Sequence, residues 1–164
     1  MDLFIIRHAQ AGHYGSPQWK DDSKRPLTND GERRFKQVVA LLVERGFTPG
    51  VVATSPLVRC LQTARIVGEL VPNDSKVVEL DELCPGSDLQ ALMDWTAAQP
   101  RELRQVAWVG HAPDVGRMAA ELIGNGGGDV RFAKGAVAAI RFHGTPEIGH
   151  GELRWLVTAK MLGC

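Results

Sequence analysis

Leu3-Phe4-Ile5-Ile6-Arg7-His8 is a short apolar run that ends abruptly in two polar side chains near the start of the chain. Four consecutive large apolar residues are typical of a strand buried on both faces, as in a parallel sheet. We therefore predict a strand over residues 2–6. Arg7 and His8 then lie just past its carboxyl end, where open α/β sheets present their functional groups.

The rest of the chain alternates short apolar runs with longer stretches of helical periodicity, which is typical of a sheet covered by helices. We predict strands at residues 51–54, 76–80, 105–109, 136–142 and 153–158, and helices over 29–45, 56–71, 89–97 and 112–123. Ser55 is the predicted N-cap of the second helix, with Pro56 at its first position. The expected fold is an α/β, three-layer α/β/α sandwich with a mostly parallel central sheet, in a single domain over residues 1–164.

Three segments with chemically active side chains follow three of these strands. They are Arg7-His8, Arg59 in the first turn after the second strand, and His111 after the fourth. Because the carboxyl ends of parallel strands meet at one edge of the sheet, we expect these segments to converge there. Helix N-termini after Ser55 and Ala112 would direct free amides into the same crevice. The combination is suited to binding a phosphate group.

The convergent residues also suggest a reaction. Arginine stays charged at physiological pH and binds phosphate oxygens in pairs, so Arg7 and Arg59 would neutralise a phosphoryl group without a metal or other cofactor. The same charges disfavour protonation of His8, which leaves a neutral imidazole able to attack phosphorus. We expect His8 to be the nucleophile of a phosphohistidine intermediate, and His111 to hydrogen-bond the phosphoryl oxygens.

Composition excludes several other classes of function. Nineteen basic residues balance nineteen acidic ones, so the overall charge does not favour binding to nucleic acid or to an anionic membrane. The apolar run near the amino terminus is too short for a signal peptide or a spanning helix. Three cysteines without a Cys-x-x-Cys pair argue against a disulfide framework or a thiolate metal site. We expect a cytoplasmic monomer that has no metal.

Four motifs, in order along residues 3–124, resemble those of the histidine phosphatase superfamily, which includes the cofactor-dependent phosphoglycerate mutases. The matches are Ile6-Arg7-His8-Ala9, Pro26-Leu27-Thr28 with Gly31, Ser55-Pro56-Leu57-Val58-Arg59 with Gln62-Thr63-Ala64, and Val109-Gly110-His111. One such match is weak evidence, whereas four in the family's order form a strong joint signal. The resemblance implies a phosphoglycerate mutase-like fold and supports the roles given to Arg7, His8, Arg59 and His111.

Within that superfamily the chain looks like the short SixA-type phosphohistidine phosphatases. The small size, the Arg25-Pro26-Leu27-Thr28 stretch, and Leu80-Asp81-Glu82-Leu83 followed by Pro85-Gly86 support this branch. The resemblance implies a phosphorylated protein as partner, namely a histidine-phosphotransfer domain of a phosphorelay. Mutase-like members usually carry Ser or Thr and then Asn at the positions of Ala11 and Tyr14, which makes a mutase a poorer match.

Two further residues are candidates on weaker grounds. Glu82 lies near the segment that supplies the general acid in the family, but a solvated acidic edge with Glu79, Asp81 and Asp88 also explains it. Arg25 either contacts the phosphate or the substrate protein, or is a solvated loop arginine. Two alternative functions stay open at this point: a phosphomonoesterase for small phosphate esters, and a phosphate-binding module without catalysis.

Overall fold

The computed structural model describes residues 1–73, 75–100, 102–124 and 126–164. Its strands are β1 (Asp2–Arg7), β2 (Val51–Thr54), β3 (Lys76–Glu79), β4 (Gln105–Gly110), β5 (Val137–Arg141) and β6 (Glu152–Val157). Its α-helices are α1 (Asn29–Val43), α2 (Val58–Leu70), α3 (Leu89–Ala97) and α4 (Asp114–Leu122). Short 3₁₀ helices lie at Asp22–Lys24 and Asp81–Leu83. The predicted α/β alternation is confirmed element by element.

All six strands belong to one sheet, in the order β3-β2-β4-β1-β5-β6. The first four in that order are parallel to one another, whereas β5 runs antiparallel to β1, and β6 antiparallel to β5. The predicted, mostly parallel sheet is therefore confirmed. Because β4 lies between β1 and β2, the carboxyl ends of these three strands are direct neighbours.

Each face of the sheet is covered by one pair of helices. Phe4 and Ile6 of β1 face the apolar cluster formed with α1 and α2, whereas Leu3 and Ile5 face the cluster formed with α3 and α4. Alternate residues of a strand point to opposite faces, so a strand buried on both sides must be apolar throughout. This requirement explains the uninterrupted apolar run of residues 3–6 and confirms the three-layer arrangement.

The start of α1 is tied to the loop that follows β1. The Thr28 hydroxyl accepts a hydrogen bond from the Gly31 amide at 3.0 Å, and the Thr28 amide donates to the Gln10 carbonyl at 2.9 Å. A Cβ atom on Gly31 would collide with that same carbonyl, so only glycine lets the helix approach so closely. Thr28 and Gly31 thus fix the backbone just after His8.

The prediction that Ser55 caps the second helix is wrong. Helix α2 begins at Val58, and Leu57 stands at the N-cap without a side-chain hydrogen bond. Residues 55–57 form a turn instead, in which the Ser55 hydroxyl accepts from the Leu57 amide at 3.3 Å. The same hydroxyl contacts His111, a tertiary partner that no local pattern indicates. A smaller difference is that β1 includes Arg7, which pairs with Gly110 of β4.

None of the described helices is both long and apolar enough to pass through a lipid bilayer.

Candidate active site

The ends of β1, β4 and β2 bring the predicted residues together. His8 follows β1 and His111 follows β4, and the centroids of their rings are 5.4 Å apart with an angle of 59° between the ring planes. Arg59 lies in the first turn of α2, which follows β2. His8, Arg59 and His111 are each at least nine-tenths buried. The two imidazoles therefore share one crevice on the same side of the sheet, as the sequence predicted.

His8 is held in one tautomer by its own backbone. Its Nδ1 lies 2.8 Å from the carbonyl oxygen of Ala9, which can only accept, so Nδ1 carries the proton. The lone pair is consequently on Nε2, the nitrogen available for attack. Burial lowers the pKa of His8 to about 3, and the nearby charges of His111, Arg59 and Arg7 act in the same direction. At neutral pH His8 is an uncharged imidazole.

His111 is fixed on one edge by neutral partners. Its Nε2 lies 3.0 Å from the Ser55 hydroxyl and 3.4 Å from the sulfur of Cys60. Burial lowers the pKa of His111 to about 4, with a further contribution from Arg59. Burial also raises the pKa of the Cys60 thiol to about 12, so the sulfur beside the ring is uncharged. The neutral ring has one N–H donor and one acceptor nitrogen, so it can donate a hydrogen bond without carrying charge of its own.

The two arginines are anchored in the same way. Arg7 Nη1 donates to the Phe132 carbonyl at 2.8 Å, and Arg59 Nη1 donates to the Asp22 carbonyl at 2.9 Å. The Nε atom of each group is buried and has no partner among the described residues. Nε and Nη2 form one edge of a guanidinium, with two parallel N–H bonds that match two oxygens of a phosphate. Each arginine thus has a fixed end and a free two-donor edge.

A second set of motif residues, on α2, supports the loop that follows His8. The Thr63 hydroxyl accepts from the Ala9 amide at 3.1 Å and donates to the Arg59 carbonyl at 2.7 Å. The side chain of Gln62 accepts from the Leu27 amide at 2.8 Å. These contacts join the loop after β1 to the helix that carries Arg59. The residues Gln62 and Thr63 therefore have a structural role that the family motif alone did not reveal.

The structure excludes one of the two alternatives that the sequence left open for Arg25. Only 7% of its surface is exposed, so it is not a solvated loop arginine. Its Nε donates to the Asp22 carboxylate at 2.7 Å, and its Nη1 donates to the Gly12 carbonyl at 2.9 Å. Arg25 thus holds Asp22 in place, and the other carboxylate oxygen of Asp22 lies 3.2 Å from Arg59 Nη1. Contact between Arg25 and substrate stays a prediction.

Glu82 lies in the 3₁₀ helix Asp81–Leu83, half-buried, next to the end of β4. The neighbouring Leu83 packs near Gly110, and the sulfur of Cys84 is 3.8 Å from the Ser55 hydroxyl, so this helix borders the crevice. The backbone carbonyl of Glu82 accepts from the Asp88 amide at 3.0 Å, which fixes its main chain. The position is compatible with an acid at the rim, and that role stays a prediction.

Sequence reasoning missed Asp22 and the contact of Ser55 with His111. Asp22 lies in a polar loop, where an aspartate has no periodicity that distinguishes it from a solvated residue. The one available signal was that the Arg25-Pro26 pair restricts the backbone, so that Asp22 three positions earlier could form an i,i+3 ion pair with Arg25. Its pairing with Arg59 depends on the tertiary fold.

Comparison with known proteins assigns the chain to a family. Residues 3–124 match the model of the histidine phosphatase superfamily (branch 1), and the chain belongs to that superfamily. The fold and the crevice with two imidazoles and two guanidinium groups agree with this class. The chain is a SixA-like hydrolase of the superfamily, and the likeness supports phosphatase activity.

Several relatives cover nearly the whole chain. Phosphohistidine phosphatase SixA of Escherichia coli is 30% identical over 94% of this chain and 92% of its own length. An uncharacterised protein of Picosynechococcus is 31% identical over 86% of this chain and 85% of its own. Among solved structures, the protein histidine phosphatase SixA complexed with tungstate has a TM-score of 0.85 and 28% identity, covering 99% of both chains.

Proposed function

We propose that the protein is a phosphohistidine phosphatase in which His8 takes the phosphoryl group from a phosphorylated histidine of a phosphorelay protein. The observation that carries this proposal is the tautomer of His8. Its Nδ1–H is bound to the Ala9 carbonyl, so the Nε2 lone pair is free within a crevice that contains Arg7, Arg59 and His111. A neutral, oriented imidazole among fixed cations is what attack on a phosphoryl group requires.

The reaction proceeds in two displacements. The Nε2 lone pair of His8 forms a bond to phosphorus while the bond from phosphorus to the substrate nitrogen breaks. The leaving imidazole keeps that electron pair and takes a proton from water. A second water then attacks phosphorus, and the bond to His8 breaks with its electron pair returning to Nε2. Inorganic phosphate leaves with the hydroxyl of that water, whose other proton neutralises the hydroxide left by the first step. Each step conserves the phosphoryl group and needs no oxidant, metal or cofactor.

Arg7 and Arg59 stabilise the phosphoryl group through both steps. Their free Nε and Nη2 donors bind the equatorial oxygens, whose charge increases in the transition state. Because Nη1 of each is already bound to a backbone carbonyl, little reorganisation is needed when the substrate binds. His111, placed beside His8, donates a hydrogen bond to the third oxygen.

A phosphoramidate substrate would need only weak acid catalysis, and Glu82 is the one candidate acid that the sequence indicates at the rim of the crevice. An imidazole is a better leaving group than an alkoxide, so its departure needs less help from a general acid. Glu82 is the candidate acid, and only its main chain is fixed by a hydrogen bond among the described residues. The E. coli relative is named a phosphohistidine phosphatase, which favours the same substrate class here.

The decisive experiment uses a histidine-phosphotransfer domain carrying labelled phosphohistidine. We expect the native protein to release labelled phosphate and to form a labelled phosphoenzyme that survives denaturation in alkali. His8→Gln should do neither while staying folded, and His13→Gln, at an exposed histidine, should behave like the native protein. Full turnover by folded His8→Gln would refute the mechanism.

A substrate panel tests the two alternatives. Faster turnover of alkyl phosphates than of phosphoramidates would favour a small-molecule phosphomonoesterase. Phosphate binding without any turnover or phosphoenzyme would favour a binding module. Activity that is unaffected by a chelator is the expected result for a site whose positive charge comes from arginine.

A further inference from the structure

The carboxylate of Asp22 forms an ion pair with Arg59, one of the two arginines of the crevice. Its Oδ1 accepts from Arg25 Nε at 2.7 Å, and its Oδ2 lies 3.2 Å from Arg59 Nη1. Its backbone carbonyl accepts from the same Nη1 at 2.9 Å. The residue therefore contacts Arg59 twice, once with a neutral group and once with a negative charge.

The two contacts have different consequences. The carbonyl contact alone is enough to fix the guanidinium, because Arg7 is anchored by a single carbonyl, that of Phe132. The carboxylate adds a negative charge next to the donors that a phosphate would use. Arg25 keeps that charge in place: it is buried, and it is bound both to Asp22 and to the Gly12 carbonyl. Arg25 also holds the pKa of Asp22 below its usual range, so the carboxylate is ionised at neutral pH.

We propose that the Asp22 carboxylate partly neutralises the arginine cradle and thereby limits its affinity for the phosphate product, so that phosphate leaves after hydrolysis. The proposal rests on the proposed function, because it takes Arg59 to be a phosphate ligand. Tight binding that is equal for ground state and transition state does not raise turnover, whereas a retained product lowers it. The negatively charged Asp22 carboxylate repels the bound phosphate dianion at every step of the reaction.

The variant Asp22→Asn separates charge from positioning. Asparagine keeps an Oδ1 acceptor for Arg25 Nε and keeps the backbone carbonyl for Arg59, but it removes the negative charge. If the charge limits affinity, Asp22→Asn binds phosphate more tightly. If the carboxylate only positions Arg59, the same variant binds phosphate more weakly. The two roles of the carboxylate thus predict changes of opposite sign in the affinity of Asp22→Asn for phosphate.

The measurement is calorimetric titration with inorganic phosphate, which does not depend on turnover. Removing one charge within about 10 Å of a bound dianion should tighten binding roughly tenfold at low ionic strength, and less at high salt. Asp21→Asn is the matched control, because it makes the same charge change one residue away, where the carboxylate contacts Ser23 and Lys24 rather than the arginines. We expect it to change the affinity less than twofold.

A phosphate affinity that is unchanged or weaker in Asp22→Asn would overturn the proposal. An equal gain in Asp21→Asn would also overturn it, since the effect would then come from overall charge. Stronger phosphate inhibition of Asp22→Asn in a turnover assay is the expected companion result. If the native protein binds phosphate but hydrolyses no phosphohistidine, the proposed function fails, while the calorimetric comparison still decides the role of Asp22.

Discussion

Lowering the pH from 7 to 5 should destabilise the protein through its two buried imidazoles. The pKa of His8 is lowered to about 3 and that of His111 to about 4, both mainly by burial. In the unfolded chain a histidine has a pKa of about 6.5. Between these values the unfolded state binds protons that the native state does not, so the free energy of unfolding falls as the pH falls below 6.5.

The size of this effect follows from the proton uptake. One proton bound only by the unfolded state lowers the free energy of unfolding by about 1.4 kcal/mol per pH unit. Because uptake is gradual around pH 6.5, each histidine contributes about 1.9 kcal/mol between pH 7 and pH 5, or about 3.7 kcal/mol for both. Such a loss is a large fraction of the stability of a typical domain, which is about 5–15 kcal/mol.

Urea unfolding at pH 7, 6 and 5 measures the effect, and variants assign it. His8→Gln and His111→Gln should each reduce the fall in the free energy of unfolding by about half, because glutamine binds no proton. His13→Gln, at an exposed position, is the control for removing an imidazole and should leave the fall at its native size. Carboxylate titration is common to all four proteins and cancels in the comparison. An equal pH dependence in the native protein and both buried-site variants would refute the neutral, buried state of the histidines.

Three further predictions concern single positions. Arg59→Lys keeps the positive charge but loses the two-donor edge, so kcat/KM for a phosphohistidine substrate should fall about 100-fold while the protein stays folded. Equal kcat/KM values for the native protein and the variant would contradict a bidentate role for Arg59. Gly31→Ala places a Cβ against the Gln10 carbonyl and should lower the free energy of unfolding, measured in urea, by about 2 kcal/mol. A free energy of unfolding close to the native value would mean that the loop after β1 can move away from the added Cβ. Glu82→Gln should leave phosphoramidate turnover within about threefold of native, and a larger fall in kcat would identify Glu82 as a required acid.

Much of the fold could be predicted because its signals are local. A strand buried on both faces must be apolar throughout, and α1 carries its buried residues on one stripe that Phe35, Val38 and Leu42 define. The position of the candidate site followed from the same pattern, because adjacent parallel strands place Arg7, His8 and His111 at one edge.

The rest could not be predicted because it depends on which side chains meet across the fold. Ser55 has the local features of an N-cap, but its hydroxyl lies beside His111, which is distant in sequence. For Arg25 the sequence leaves open a contact with substrate or a solvated loop position, and the second is wrong because the side chain is buried and binds Asp22. Both differences arise from hydrogen bonds that form only after the sheet and helices are assembled. The contacts of polar residues in loops are therefore the part of the structure that sequence patterns predict least well.

The burial that keeps His8 uncharged also imposes a cost in stability that other motif residues must offset. A charged imidazole is excluded from the crevice, so His8 is uncharged at neutral pH, but the same exclusion weakens the fold in acid. Thr63 and Gly31 do not contribute charge, yet they hold the backbone on either side of the loop after β1. Their presence in the motifs is explained by this mechanical role, since a loop that relaxed would hydrate His8 and raise its pKa toward the ordinary value of about 6.5, so that part of the imidazole would be protonated near neutral pH. The uncharged state of His8 thus depends on the neutral packing around residues 9–11 as well as on the arginines of the crevice.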